Sequence, residues 1–188
     1  MKIVHLIAGI ALSATPSLAE ETTQLDAHEH GVGQLNIAFD ENKIAMELHA
    51  PGADIVGFEY GAKSDADLAA IDAALQTLSD PLGLFLIPEA ASCIVITAHA
   101  KLESEDSDHD DHDEEGHDDH DKAPGHTEFH AEYLIECANL TEISAITFSY
   151  FEIFPNALEL EVQVISDKGA TAFEIERDVA KLDLRGIF

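Results

Sequence analysis

Apolar and polar residues alternate in two neighbouring runs near the start of the chain. The runs extend from Val32 to Phe39 and from Ile44 to Ala50, with a polar break at Asp40–Lys43. A period of two is typical of a strand with one buried face, and two such runs around a short polar break predict a β-hairpin. Pro51 and Gly52 end the second run.

A helical period replaces this alternation between residues 64 and 81. Ser64 is a suitable N-cap, Asp67 three residues later completes a capping box, and Pro81 closes the segment. The apolar residues that recur at helical spacing are Leu68, Ile71, Leu75 and Leu78. This segment is predicted to be a helix.

Five further runs are rich in β-branched residues or alternate with period two. They are Ser92–Leu102, Glu128–Leu140, Ala145–Phe148, Leu158–Ile165 and Thr171–Ile175. Each is predicted to be a strand. The resulting order, β-β-α-β-β-β-β-β, predicts an α+β fold with a mostly antiparallel sheet and one or two helices.

The two cysteines, Cys93 and Cys137, lie on strands that are expected to pair as a hairpin. If they face each other, the register brings apolar and aromatic partners together. The further pairs in this register are Val95 with Ile135, Thr97 with Tyr133, and His99 with Ala131. If the chain is exported, two cysteines without a CxxC motif favour a disulfide, with a pair of thiolate zinc ligands as the alternative.

The first residues predict export. Lys2 precedes an apolar stretch from Ile3 to Ala14, and Ser17 and Ala19 place small residues at the usual cleavage positions. This is the pattern of a secretory signal peptide over residues 1–19, which leaves residues 20–188 as a single domain. A membrane anchor is disfavoured, because the apolar stretch is shorter than the roughly 18 residues that a spanning helix needs.

The charge of the chain restricts its partners. It has 38 acidic residues against 9 lysines and arginines, a formal net charge of −29. Such a surface repels phosphate backbones and anionic lipid, so neither nucleic-acid binding nor membrane-surface binding is expected. It attracts cations. No stretch after residue 19 is long and apolar enough for membrane insertion. Hydrophobic residues make up 46% of the sequence, which indicates a folded domain carrying an acidic insertion rather than an acidic disordered chain.

The insertion spans residues 103–127, between the two cysteine-bearing strands, and is expected to be a long disordered His/Asp-rich segment in a β-hairpin. Twelve acidic residues and four histidines lie between residues 103 and 121. Imidazole suits zinc, copper and nickel, and carboxylate can complete the coordination shell. The candidate ligands are His109, His112, His117, His120, Asp110 and Asp113. The alternative is an acidic loop that serves solubility and carries histidines incidentally.

A tighter site requires histidines fixed on the folded scaffold. His28 and His30 are two residues apart, so in an extended chain both side chains would reach the same ion. His99 and His130 lie on the predicted hairpin, and His126 lies just before its second strand. We therefore predict these five as scaffold metal ligands. His49 is interpreted as an ordinary strand residue.

The chain resembles the ZrgA-type zinc-regulated, zinc-binding periplasmic proteins of Gram-negative bacteria. The pieces that carry the resemblance are "HEHGVGQLNIAFD", "APGADIVGFEY", "DPLGLF" with "ASCIVITA", "AEYLIECANL", and "FSYFEIFPNALELEVQV" with "DKG". The resemblance implies periplasmic zinc binding linked to uptake through an ABC importer, with a zinc-uptake component as a partner. Its HxHG pattern maps onto His28, His30 and Gly31. Members of the family often have histidine after GFE, where this chain has Tyr60.

Together these features predict a periplasmic protein that captures or buffers Zn²⁺ and supports zinc uptake. The alternative is a general divalent-metal sequestration module, for copper, nickel or calcium, with no transport role. The sequence has no HExxH, GxSxG or CxxC motif, so we expect no enzymatic activity. Its acidic run also lacks the glycine and terminal glutamate of an EF-hand in register, which disfavours a calcium module.

Overall fold

The computed structural model describes residues 29–104 and 126–187. The elements of the first range are β1 (Val32–Asp40), β2 (Lys43–Pro51), α1 (Gly52–Ile55), α2 (Asp65–Leu78), α3 (Pro81–Leu84), β3 (Phe85–Leu86) and β4 (Cys93–Ser104). Those of the second are β5 (Thr127–Cys137), β6 (Ala145–Phe148), α4 (Tyr150–Ile153), β7 (Glu159–Ser166), β8 (Gly169–Glu176) and β9 (Lys181–Asp183). The predicted signal peptide and residues 105–125 of the predicted insertion lie outside the described residues.

The strands form two sheets. The larger has the order β4-β5-β2-β1-β7-β8, and the smaller has the order β3-β6-β9. Neighbouring strands are antiparallel except β1 and β7, which are parallel. The predicted α+β class with a mostly antiparallel sheet is confirmed. Within the described residues there are four helices rather than one or two, because α1, α3 and α4 have four residues each and are too short to show a helical period.

The predicted helix is α2, and its start agrees with the capping box. The side chain of Ser64 accepts from the backbone N–H of Asp67, and Asp67 accepts from the backbone N–H of Ser64. Ile71 and Leu78 are buried, but Leu68 is 54% exposed. At the beginning of the helix, fewer apolar side chains therefore face the core than the periodicity predicts.

The larger sheet has one buried face and one polar face. Along β2, for example, Ile44, Met46 and Leu48 are buried, and the residues between them are not. The ring centroid of Phe85 in β3 lies 6.3 Å from the ring centroid of Tyr133 in β5. The smaller sheet therefore packs against the buried face of the larger one. Across residues 29–104 and 126–187, no helix combines the length and the apolar character needed to cross a membrane.

The hairpin of β4 and β5 has the predicted register only at its first pairs. Cys93 lies opposite Cys137 and Val95 opposite Ile135, as expected. A β-bulge between Val95 and Thr97 then shifts the register by one residue. Two predicted pairs are therefore wrong: Thr97 faces Leu134 rather than Tyr133, and His99 faces Glu132 rather than Ala131.

The bulge has a physical reason. Strict alternation from the disulfide onward would turn His99 and Lys101 towards the buried face of the sheet. One extra residue on the bulged strand reverses the faces of all residues that follow it. As a result Ala98 and Leu102 pack against the core, while His99 and Lys101 are exposed on the polar face.

Cys93 and Cys137 form the expected disulfide. Replacing both by alanine should lower the free energy of unfolding by about 4 kcal/mol, because the bond closes a long loop and restricts the unfolded chain. The two residues are 44 positions apart. Urea unfolding of the oxidised protein and of the double variant measures the difference. Wild-type protein kept reduced should match the variant, and equal stability of oxidised and reduced protein would contradict this expectation.

Candidate metal centre

Glutamate and histidine lie next to each other on the polar face of strands β2 and β5. In β2 the side chains of Met46 and Leu48 enter the core, so Glu47 and His49 face outward by the alternation of a strand. His130 of β5 lies directly opposite His49 and is 9% exposed, although it is on the same polar face.

The three side chains approach one another closely enough to share an ion. Oε1 of Glu47 lies 3.4 Å from Nε2 of His49 and 3.2 Å from Nε2 of His130. One ligand atom from each residue lies within 4.8 Å of the others. Tetrahedral zinc with bonds of about 2.0–2.1 Å separates its ligand atoms by about 3.3 Å. The two separations from Glu47 are therefore close to the spacing of ligands around one zinc ion.

Neighbouring residues orient these ligands. Glu128 Oε2 is 3.2 Å from Nδ1 of His49, so Nδ1–H can donate to this carboxylate while Nε2 keeps its lone pair for a metal. Asn36 Nδ2 donates to Oε2 of Glu47 at 3.3 Å, which leaves Oε1 towards the histidines. The rings of His49 and His130 are stacked, with centroids 4.4 Å apart. The donor atoms are thus held in place before any ion binds.

The same contacts shift two pKa values. The hydrogen bond to Glu128 raises the pKa of His49; burial acts against it, and the charges of Glu128 and Glu47 add to the rise. Burial raises the pKa of Glu47, but hydrogen bonds from Asn36, His130 and His49 outweigh it and leave that pKa lowered. Glu47 is therefore ionised at neutral pH, and a metal has to displace a proton that His49 holds more firmly than usual.

A fourth donor lies near the cluster. Oε1 of Glu132 is 3.7 Å from Nε2 of His130, and the side chain of Glu132 is 65% exposed. On the other side of the ring, Oε1 of Glu103 lies 3.9 Å from Nδ1 of His130, and Glu103 is paired with Lys101. Three donors are therefore close together, and the exposed carboxylate of Glu132 is near enough to supply a fourth.

The chain was compared with known proteins. A family model described as "ZrgA family zinc uptake protein" matches residues 27–184. The chain belongs to the ZrgA family. The resemblance stated from the quoted motifs is thereby confirmed, and with it a zinc-related role. No curated protein matches the sequence.

The scaffold histidines predicted from the ZrgA resemblance and from the strand pattern fall into three places. His130 is part of the cluster with Glu47 and His49. His99 is exposed on β4, opposite Glu132 and outside that cluster. His30 and His126 both contact Glu59. The predicted ligands that lie outside the described residues are His28, His109, His112, His117, His120, Asp110 and Asp113.

Tyr60, where the family resemblance implied a histidine, stacks on Phe58 with ring centroids 4.8 Å apart. The amino group of Lys63 lies 5.7 Å from the Tyr60 ring centroid. The aromatic ring therefore serves packing in this loop. The adjacent Glu59 contacts both His30 and His126.

Sequence analysis missed two members of the central cluster, Glu47 and His49. His49 was interpreted as an ordinary strand residue because nothing local distinguishes it. A signal was present in the alternation of β2, which places Glu47 and His49 on one face. Using that signal requires knowing that β2 pairs with β5, and these strands are separated by the helices and by β4.

Proposed function

We propose that this protein is exported to the periplasm, binds zinc through Glu47, His49 and His130, and supports zinc uptake by passing the ion to a component of an ABC importer. It acts without catalysing a reaction. The observation that carries the proposal is a His₂Glu cluster on the polar sheet face of a chain that belongs to a zinc uptake family.

The donor set supports zinc over a hard cation. Two imidazole nitrogens and one carboxylate oxygen suit zinc and its neighbours in the transition series, whereas calcium takes six to eight oxygen ligands. Among the three donors of the cluster only Glu47 offers oxygen, and one of its two oxygens already accepts from Asn36.

The exposure of the site supports exchange of the ion rather than permanent retention. Structural zinc sites are closed by four protein ligands, whereas this cluster has three, with Glu132 as an exposed fourth donor. An acceptor protein can therefore approach the open position and replace ligands one at a time. A site of this kind binds zinc and also releases it.

The acidic segment supports a collecting role. It joins the scaffold at Ser104 and Thr127, the last pair of the β4–β5 hairpin, and His130 is three residues farther along β5. Histidines and carboxylates attached so near the site raise the local concentration of zinc. The net charge of −29 also draws cations to the protein as a whole.

Replacing residues 105–121 by a Gly-Ser linker of equal length should lower the number of bound zinc ions and leave the highest affinity within about threefold of wild type. The reason is that the sheet holds the three donors of the cluster next to one another whether or not the segment is present. Titration in competition with a chromogenic chelator measures both quantities, and thermal unfolding tests the fold. A matched control changes only His109, His112, His117 and His120 to asparagine and keeps the acids. Loss of the tightest site in the linker variant would contradict this expectation.

Growth under zinc limitation tests the uptake role. A bacterium that normally produces this protein should grow more slowly without it in chelator-treated medium. Wild-type protein and His99→Ala should restore growth, and a His49→Ala/His130→Ala variant should not, because only the latter loses the cluster. If loss of the protein makes cells sensitive only to excess zinc, the protein sequesters metal and the uptake proposal is wrong.

A further inference from the structure

An apolar groove crosses the polar face of the larger sheet next to the metal centre. It is a cavity of about 360 Å³ whose lining includes Ala38, Ala45 and Ile165. Glu47 and Glu132 line another part of the same cavity. We propose that this groove is the docking site for a partner protein that presents an aliphatic side chain flanked by lysine or arginine.

The pairing of the strands aligns apolar residues in one row across this face. Ala45 of β2 lies opposite Leu134 of β5 on one side and Ala38 of β1 on the other. Ala38 lies opposite Ile165 of β7, and Ile165 lies opposite Ala170 of β8. Because neighbouring strands are about 4.8 Å apart, the row is about 19 Å long. The side chain of alanine is a single methyl group, so the surface is lower between Leu134 and Ile165 than at either of them.

The exposed side chains of this row are apolar although they lie on a polar face. Ile165 is 51% exposed, and Ala45 and Ala170 are exposed as well. The two preceding outward positions of β7, Glu161 and Gln163, are polar. Single exposed apolar residues are common on protein surfaces, but a row on five adjacent strands favours contact with another molecule.

Carboxylates border the groove and determine the charge of its occupant. Glu132 lies directly opposite Glu47. Two like charges in this position destabilise a sheet, so a cation near them is favoured. On the other side of the apolar row, Asp40 and Glu136 both lie opposite Lys43, which leaves one negative charge there. Basic side chains of a partner therefore meet carboxylates on both sides of the row.

The charge of the chain disfavours two other occupants. A second copy of the protein brings a formal charge of −29 of its own, so the two acidic faces repel each other. The segment 105–125 has eleven acidic residues and one lysine, so its charge also has the wrong sign for this face. A partner with positive charge around an aliphatic contact fits both the row and its border.

Docking in the groove has a consequence for the bound ion. Glu47 lines the groove and is one of the three close donors of the central cluster. Glu132, the exposed donor beside that cluster, lines the groove as well. A docked partner therefore has its own ligands next to the metal centre. The identification of this partner as the zinc acceptor rests on the proposed function; the docking site itself does not.

Peptide binding by the metal-free full chain tests the docking site. The probes are the peptide KKGLLGKK and its counterpart KKGSSGKK, which has the same charge but no aliphatic side chain. Wild-type protein should bind the leucine peptide at least about fivefold more tightly, because the groove removes apolar surface of leucine from water. This preference should persist at high salt, which screens the charges of both peptides alike. Isothermal titration calorimetry measures the two affinities.

Ile165→Arg and Ala45→Arg place a positive charge in the groove, and each should abolish the preference for leucine. Ile153→Arg is the matched control, because Ile153 is similarly exposed, at 43%, but lies on α4. Tyr150 of that helix stacks on Phe85 of the smaller sheet, so α4 belongs to the other layer. Ile153→Arg should bind like wild type, and Ile165→Leu should keep the preference. Equal binding of the two peptides by wild type, or a leucine preference that survives in both groove variants, overturns the proposal.

Growth under zinc limitation tests whether the docked partner is the zinc acceptor. Ile165→Arg should fail to restore growth although its zinc affinity is unchanged, and Ile153→Arg should restore it. Normal growth with Ile165→Arg would show that the partner in the groove is not the acceptor. If wild-type protein itself does not restore growth, the proposed uptake role is wrong, and the peptide measurement still decides whether the groove is a docking site.

Discussion

Alanine in place of His130 is expected to lower the zinc affinity of the central cluster by at least about 100-fold. His130 supplies one of three close donors, and its ring also stacks on His49. Loss of a residue that only orients a ligand already costs about 10–100-fold in metal affinity, so loss of a ligand should cost at least the upper end of that range. A zinc titration in competition with a chelator, on protein with residues 105–121 replaced by the linker, measures the change.

His99→Ala is the matched control for this measurement. It removes the same side chain from the same face of the neighbouring strand, but His99 lies outside the cluster, opposite Glu132. Its zinc affinity should stay within about threefold of the parent protein. His49→Ala provides a second test that leaves the largely buried His130 in place. Unfolding without metal shows whether each variant is folded, and a folded His130→Ala protein with unchanged affinity would show that the cluster is not a zinc site.

Zinc affinity should fall at least about tenfold when the pH is lowered from 8 to 6. Imidazole binds a metal only when it is neutral, and the ordinary pKa of a histidine is about 6.5, so an imidazole ligand must release a proton in the acidic part of this range. The raised pKa of His49 makes the fall steeper. Glu47, whose pKa is lowered, stays ionised throughout and contributes nothing to the change.

The experiment is a zinc titration at the two pH values in an excess of calcium. Equal affinity at pH 6 and 8, or displacement of zinc by millimolar calcium, would show that carboxylates alone hold the ion. The metal-free protein should respond in the opposite sense. A histidine whose pKa is raised on folding stabilises the fold below its unfolded pKa, and this contribution disappears as the pH rises through the folded pKa. His49 therefore favours the metal-free fold at low pH and the zinc-bound protein at high pH.

Local patterns predicted most of the secondary structure. The hairpin of β1 and β2 and the capping box at Ser64 were visible within short windows of sequence, and the pairing of Cys93 with Cys137 followed from the presence of two cysteines on strands expected to pair. Each depends on contacts between residues that are close in the chain or joined by a covalent bond. For the same reason the one-turn helices and the two-residue strand β3 were missed, since a single turn carries no measurable period.

The order of the strands in the larger sheet could not be predicted, because it depends on pairings between residues that are far apart in sequence. The parallel contact of β1 with β7 and the antiparallel contact of β2 with β5 join strands that are far apart in sequence. Composition and alternation do not specify such partners. His130 could be proposed from its place on a predicted hairpin, whereas His49 became a candidate ligand only when β2 was known to lie beside β5.

The β-bulge in β4 shifts the alternation of the strand by one residue, so every residue after it faces the opposite side of the sheet. Upstream of it, even-numbered residues such as Ile94 share the polar face; downstream, odd-numbered residues such as His99 and Lys101 take that face. Substitution changes one side chain at a time, but removal of Ile96 would exchange the two faces of everything up to Ser104. Residue-by-residue comparison of this strand with a relative is therefore meaningful only when both chains carry the extra residue or an alignment gap accounts for it.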